Sequence, residues 1–243
     1  MQKNTVTQLN PPLSIHPTLE SSAENNQPNL LSGKGLFGTE LIALSKPYSP
    51  QVEALRALRG QLMMRWFNQE HKSLAIVSAS TGEGCSYLAA NLAVVFSQLG
   101  QRTLLVDANL RDPRQSSIFK LKINIGLADI LAGNADLDAV TSLDYLDSLS
   151  VLGAGNVSAS SHELLSRVAF KGFIKEAITN YDVVLIDTAP VSMTADAQAT
   201  VAQSGGALMV SRLNHTRITD LTEMRDQIAI TGAQIVGSVI NDF

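Results

Sequence analysis

LAIVSASTGEGCSYLAANLAVVFSQLG, residues 74–100, joins an apolar run to a glycine-bearing turn and then to a second apolar stretch. The run LAIVS (74–78) is continuous rather than alternating, as a strand covered on both faces requires. After the glycines the chain predicts a helix over about 86–99, and TLLVD (103–107) reads as the next strand. Strand, helix and strand at this spacing make a right-handed unit whose two strands lie parallel in one sheet.

The alternation continues outward. Toward the C-terminus, GLADILAG predicts a short helix, LSVLG (149–153) a strand, and residues 161–179 a helix. DVVLID (182–187), GALMVS (206–211) and IVGSVI (235–240) predict further strands, with a helix near 217–231. Toward the N-terminus, Ser49-Pro50 suits the N-cap and N1 positions of a helix, and Leu55, Leu58, Leu62 and Trp66 recur at helical spacing. Residues 1 to about 40 are rich in Asn, Gln, Ser and Pro without either period, which predicts a disordered tail ahead of a domain over 41–243. No solenoid-like repeat is present. The expectation is one doubly wound α/β domain, its mostly parallel sheet flanked by helices.

Composition narrows the function classes. A formal net charge of -4 gives no electrostatic pull toward nucleic acid or anionic lipid. The single cysteine, Cys85, excludes an internal disulfide framework and a Cys-rich metal site, and agrees with a reducing cytosol. MQKNTVTQLNPPLSIHPTLE has no apolar secretory core, and no run approaches the ~20 apolar residues of a transmembrane helix. A membrane role is therefore expected to work through a partner, not by insertion.

Ligands of open α/β sheets bind at the carboxyl ends of the strands, and three such ends stand out. In SASTGEGCS (78–86), Gly82 and Gly84 let the backbone N–H groups curl inward, and the following helix adds its N-terminal dipole. Ser86 stands where a P-loop hydroxyl reaches Mg²⁺. The pattern G-x-x-x-x-G-K-[ST] is incomplete, since its first glycine falls on Ala79 and its lysine on Cys85. A plain strand-to-helix turn stays open on this stretch alone. LLVDANLRDP ends a strand on Asp107, with Asn109 and Arg111 beyond, and VVLIDTAP ends one on Asp187. Each carboxylate suits Mg²⁺ or the polarisation of an incoming hydroxyl, or else caps a turn. Two of them beside a glycine loop favour a nucleotide site.

These motifs, in this order, resemble the bacterial tyrosine kinases of capsule and exopolysaccharide operons, P-loop proteins unrelated to eukaryotic kinases. GEGCSYLAANLA is similar to the family's Walker A loop and helix, TLLVDANLRDPRQ to its Walker A′ motif and YDVVLIDTAPV to its Walker B segment. GLADILAG, HELLS (162–166), ADAQATVAQSGGALMVSR with HTR after it, and GSVIND match as well. GEG-x-SYLAANLAVVFSQLG resembles in particular the subgroup called chain length determinant protein tyrosine kinase. The resemblance implies a P-loop NTPase-like fold of the deviant Walker type, with ATP and Mg²⁺ as cofactors. It implies nucleotide binding at Thr81, Gly82, Glu83, Gly84, Cys85, Ser86 and Tyr87, metal binding at Ser86, Asp107 and Asp187, and catalysis by Asp107, Asp187 and Arg111. The family's E-x-x-R-x-x-R helix, used in ring-like self-association, falls on Glu53, Arg56 and Arg59. Without the family, that spacing reads as a solvated face with intrahelical pairs of ~0.3–0.5 kcal/mol. The implied partner is a membrane co-polymerase of the Wzz-like kind, which would hold a cytoplasmic protein at the inner face of the membrane.

The departures define the alternatives. Cys85 replaces the phosphate-binding lysine, Tyr87 the threonine after the P-loop serine, and Asn109 the second Walker A′ aspartate. The sequence closes on Asn241-Asp242-Phe243 without the family's tyrosine-rich tail, and Tyr48, Tyr87, Tyr145 and Tyr181 form no cluster. Acceptor tyrosines are therefore expected on another protein. Losing the lysine removes ~1.5–3 kcal/mol of charge-assisted binding and a further ~10²–10³ in rate. A weak kinase and a catalytically inactive scaffold of the same system both follow. A partitioning-type ATPase fits less well because those proteins keep the lysine, and no G-x-G-x-x-G opens the first helix as a dehydrogenase requires. Cys85 reads either as a thiol activated by a helix N-terminus or as a small residue tolerated in the lysine's place.

Overall fold

Every apolar run singled out above becomes a strand of one seven-stranded sheet in the computed structural model, which describes residues 37–157, 161–166, 168–193 and 195–242. In chain order the elements are α1 (Ile42–Ser45), α2 (Pro50–Arg65), β1 (Ser73–Ser78), α3 (Cys85–Ser97) and β2 (Thr103–Asp107). There follow α4 (Gln115–Ile118), α5 (Leu127–Leu131), β3 (Thr141–Leu143), β4 (Leu146–Leu152), α6 (Val168–Asn180) and β5 (Val183–Asp187). The chain continues through α7 (Ala195–Ser204), β6 (Gly206–Arg212), α8 (Ile218–Ile230) and β7 (Gln234–Asn241). The strand order is β3-β4-β2-β5-β1-β6-β7, and every pairing is parallel except β3 with β4.

The pleat sorts side chains onto two faces. Leu74 and Ile76 of β1 join one core with α1, α2 and α3, while Ala75 and Val77 join another beneath α7 and α8. Leu104, Val106, Val184 and Ile186 pack under α5 and α6 on that second side. Helices therefore cover both faces, and this is why the central strands read as unbroken apolar runs.

Helix α2 begins as its sequence predicts. Ser49 Oγ accepts from Val52 N at 3.4 Å, Pro50 occupies N1, and Val52, Leu55, Leu58 and Leu62 form the buried stripe. Its stripe ends on Trp66, whose Nε1 donates to Ser73 O at 2.9 Å and whose ring stacks on His71 at 3.8 Å. The Trp66 ring lies so close to Gly206 that a Cβ there would sit 2.3 Å from Trp66 Cζ2.

Helix α3 is buried almost all round because α1 and α2 cover its outer side. Asn91, fully buried in its middle, accepts from Ala43 N at 3.0 Å and donates to Glu40 O at 2.9 Å. Gly38 N donates to Ile118 O at 2.9 Å. Residues 37–40, grouped by composition with the tail, thus dock on the body, while residues 1–36 lie outside the described residues.

The structure differs locally from the sequence expectation in two places. The helix expected over 161–179 is a 3₁₀ segment, Ser161–Ser166, followed by α6. Helix α7 and strand β3 went unpredicted: α7 buries only small or polar residues such as Ala197, Thr200 and Ser204 beside Val201, and β3 is a three-residue antiparallel edge. Among the described residues no helix is long and apolar enough to cross a membrane.

Candidate functional site

The C-terminal ends of β1, β2 and β5 open onto a cavity of about 310 Å³, lined by residues 80–87, by Asn109, Arg111, Asp112 and Arg114, and by Thr188–Pro190. The glycine loop after β1 turns as its sequence anticipates. Gly82 has φ +78° and Gly84 φ +87°, the left-handed region that a side chain disfavours, and Gly84 is the N-cap of α3. The loop and the first turn of α3 line one side of this cavity, and main-chain N–H groups at a helix N-terminus are chemically suited to an anion.

Glu83 braces this loop from inside. It is 1% exposed, and its Oε2 accepts from Ala79 N at 2.8 Å and Ser80 N at 3.1 Å. Its Oε1 accepts from the Thr216 hydroxyl at 2.5 Å, and Asn241 Nδ2 donates to its carbonyl at 2.8 Å. The Glu83 side chain therefore works on the protein's own loop; only its backbone belongs to the cavity. Thr216, the middle residue of the HTR stretch, and Asn241 of GSVIND fasten the loop to β6 and β7.

Parallel pairing of β2 with β5 sets Asp107 directly opposite Asp187, and both are fully buried. Their surroundings differ. Asp107 Oδ2 accepts from Arg114 N and Gln115 N, each at 2.9 Å, and Oδ1 accepts from Asn109 N at 3.3 Å. Its carboxylate thus holds the 109–115 turn, the capping role weighed from sequence. Asp187 Oδ2 accepts from Gln115 Nε2 at 2.7 Å, whereas Oδ1 is buried with no hydrogen-bond partner among the described residues. The Ser86 hydroxyl and the Cys85 thiol lie against this carboxylate and ease its charge. Burial raises the Asp107 pKa, and the neighbouring Asp187 charge raises it further, against its three main-chain N–H donors. Burial also raises Asp187, opposed by Ser86, Gln115 and Cys85.

A free carboxylate oxygen beside a hydroxyl fits Mg²⁺, which takes one or two protein oxygens and fills its octahedron with water and phosphate. Among the described residues there is no cluster of three or more His, Cys, Asp or Glu that could hold a metal unaided. Ser86 and Asp187 are the residues that could ligate such an ion, with Asp107 behind them shaping the turn.

Gln115 was not singled out from sequence. Fully buried, it donates to both Asp187 Oδ2 and Ser86 O (3.1 Å), clamping the two candidate ligands together. Its place at the close of TLLVDANLRDPRQ was the only signal available.

Cys85 sits under the loop, 8% exposed, its thiol donating to Ile76 O at 3.0 Å. Burial and the Asp187 charge push the thiol well above its usual range, which argues against an activated thiol and for a small residue in the lysine's place. Thr81 and Tyr87 line the cavity, as does Arg111, whose Nε is held by Asp196 Oδ2 at 2.8 Å. Asn109 Oδ1 accepts from Asp112 N at 3.2 Å, so this residue stabilises the turn.

Glu53, Arg56 and Arg59 lie on α2, outside the lining of this cavity. Glu53 and Arg56 pair with each other at the surface. Arg59 turns inward and donates to Val95 O at 2.6 Å, capping the C-terminal turn of α3.

Residues 71–227 match the family described as "Cellulose biosynthesis protein BcsQ". The chain is 32% identical over 201 residues to the tyrosine-protein kinase YwqD of Bacillus subtilis (strain 168), covering 83% of this chain and 85% of that one. With the putative tyrosine-protein kinase CapB of Staphylococcus aureus it shares 29% over 196 residues, covering 81% and 86%. Among solved structures, the chimerical protein CapA2B2 superposes with a TM-score of 0.78 at 32% identity, covering 85% of this chain and 92% of that one. The kinase domain of Escherichia coli tyrosine kinase ETK gives 0.79 at 28%, covering 83% and 79%. The septum site-determining protein MinD of Pyrococcus horikoshii, complexed with Mg-ADP, gives 0.62 at 26%, covering 70% of each chain.

Proposed function

The chain belongs to the bacterial tyrosine kinases of exopolysaccharide operons, and we propose that it binds ATP with Mg²⁺ in the cavity above β1, β2 and β5. The observation that carries this is the buried, unpartnered Oδ1 of Asp187 beside Ser86, at the foot of the glycine loop. A buried carboxylate oxygen left without a donor is costly unless a cation completes it. In this reading the N–H groups around Gly82 and Gly84 receive phosphate oxygens, Ser86 and Asp187 hold the ion, and Gln115 keeps those two ligands in register. Thr81 and Tyr87 border the nucleotide. When bound, the cation supplies positive charge to the phosphate oxygens.

Phosphoryl transfer to tyrosine is expected to be slow. No ammonium stands at position 85, and losing a donor aimed at transition-state charge costs about 10²–10³ in rate. Asp107 has both oxygens engaged by main-chain N–H groups, so its contribution is to hold the turn, while the free oxygen of Asp187 is given to the ion. The wider role is to adjust polymer chain length at the inner face of the membrane, docked on a Wzz-like co-polymerase and assembling with further copies through the surface pair Glu53–Arg56. Helix α2 presents that pair outward, whereas Arg59 is already engaged.

A scaffold without phosphotransfer is the second reading, favoured by Cys85, which puts a thiol bonded to Ile76 O where the family's loop has a lysine. Calorimetric titration with ATPγS, with and without Mg²⁺, separates the two. Micromolar binding that needs Mg²⁺ and is lost in Asp187→Asn is the expected result. No binding by the native chain, with binding restored by Cys85→Lys, would leave the scaffold.

A further inference from the structure

A polyphosphate carries several negative charges, and no lysine lines the cavity among the described residues. The cations that do line it are Arg111 and Arg114, both from the turn after β2, across from the glycine loop. That turn is stapled in place. Asp107 accepts from the main chain of Asn109, Arg114 and Gln115, and Asn109 accepts from Asp112 N. The backbone of Arg114 is therefore fixed, while its side chain is 59% exposed and rests on Asp112 Oδ2 through Nε (3.2 Å) and Nη2 (2.8 Å). Arg111, 44% exposed, is held at Nε by Asp196.

From this arrangement we infer that Arg114, with Arg111, supplies the phosphate-directed positive charge that the glycine loop lacks, and that Asp112 competes with phosphate for Arg114. A guanidinium presents its donors in a planar fork that matches phosphate oxygens, so an arginine on a rigid turn substitutes for a lysine on the loop. The anionic groups lining the cavity are Glu83 and Asp112. Glu83 is fully engaged inside the loop, so Asp112 is the carboxylate that a phosphate displaces. The inference rests on the nucleotide reading of this cavity and adds to it a preference for di- and triphosphates over monophosphates.

The test is calorimetry on the full chain with Mg²⁺-ATPγS, ADP and AMP, using Arg114→Ala, Arg114→Lys, Arg111→Ala/Arg114→Ala and Asp112→Asn. Thermal midpoints report folding. A charge-assisted bond to phosphate is worth about tenfold in affinity at a partly exposed site. Arg114→Ala is expected to weaken ATPγS about fivefold to tenfold, Arg114→Lys less, and the double variant about 50-fold, with AMP little changed. Asp112→Asn is expected to tighten ATPγS about twofold to fivefold, and Cys85→Lys placed in the double variant to recover at least tenfold. Native-like affinity in the double variant, or equal losses for AMP and ATPγS, overturns the inference while leaving the nucleotide site intact. A native chain that binds none of the three removes the nucleotide reading and this inference together.

Discussion

Replacing Glu83 by alanine tests how the glycine loop is held. The carboxylate is 1% exposed and accepts from Ala79 N, Ser80 N and the Thr216 hydroxyl. Ala79 is 2% exposed, so its N–H would be stranded without water; Ser80 is half-buried and recovers part of its loss from solvent. The Thr216 hydroxyl can rotate, and it keeps its bond from Arg212 N at 2.8 Å. Bonds to a charged acceptor contribute about 1.5–3 kcal/mol each, and a stranded buried donor costs about 1–3 kcal/mol. One full loss and two partial ones, less the relief of the carboxylate's own desolvation, give about 3 kcal/mol. Glutamine keeps one acceptor oxygen for the two main-chain donors and turns an NH₂ toward Thr216, so Glu83→Gln should cost about 1 kcal/mol. Urea unfolding reads the difference: with a slope of about 1–3 kcal/mol/M, the alanine midpoint falls by about 1–3 M and the glutamine midpoint by less than half of that. An alanine midpoint within about 0.3 M of native, or equal losses for both variants, would refute the claim that accepting hydrogen bonds is what Glu83 does.

Gly206→Ala places a methyl 2.3 Å from Trp66 Cζ2. It should destabilise by about 1–3 kcal/mol and red-shift the emission of the single tryptophan; unchanged fluorescence and stability would contradict the packing. Asp107 and Asp187 both have folded-state pKa values raised above those of the unfolded chain, so the folded state holds protons that the unfolded chain gives up. Their contribution is complete below about pH 3.8 and is lost as pH rises through about 6 for Asp187 and about 8 for Asp107. Thermal midpoints without Mg²⁺ should therefore fall between pH 5 and pH 9 by more in the native chain than in Asp187→Asn; parallel profiles would dismiss the pair. Cys85 should react with a thiol reagent at pH 8 only at the rate of global or local opening, and promptly in urea. Immediate reaction of the folded protein would place the thiol at the surface.

How much of this could be read from sequence depended on how local the cause is. Strands β1, β2, β5 and β6 were legible because two-sided burial writes itself into consecutive residues such as LAIV and VVLI. Ser49-Pro50 announced α2 because a cap acts within one turn. Helix α7 was missed because ADAQATVAQS offers little apolar contrast, and β3 because three residues carry no period. At the site, the glycines and both aspartates were visible as types, but their division of labour was not. Glu83 meets Thr216 across 133 residues, and Gln115 meets Asp187 across 72, distances over which no spacing rule operates. Arg59 shows the same limit: its helical spacing with Arg56 and Glu53 is real, yet its partner is a carbonyl of α3.

The two acids and the glycine loop owe their positions to different parts of the fold, and this gives the two halves of the site separate clocks. Asp107 and Asp187 face each other because main-chain bonds register β2 against β5 in the middle of the sheet. The loop is held by side-chain bonds: Glu83 accepts from Ala79 N and Ser80 N within it and from the Thr216 hydroxyl, and Asn241 donates to the Glu83 carbonyl. Amides of Val106 and Ile186 should exchange hydrogen only through whole-domain opening, over hours to days, while those of residues 81–84 exchange through loop excursions that leave the sheet intact. A ligand entering the cavity would then meet two acids already in place and a loop held by fewer bonds, so its affinity can be tuned by substitutions at Thr216 or Asn241 without touching either acid.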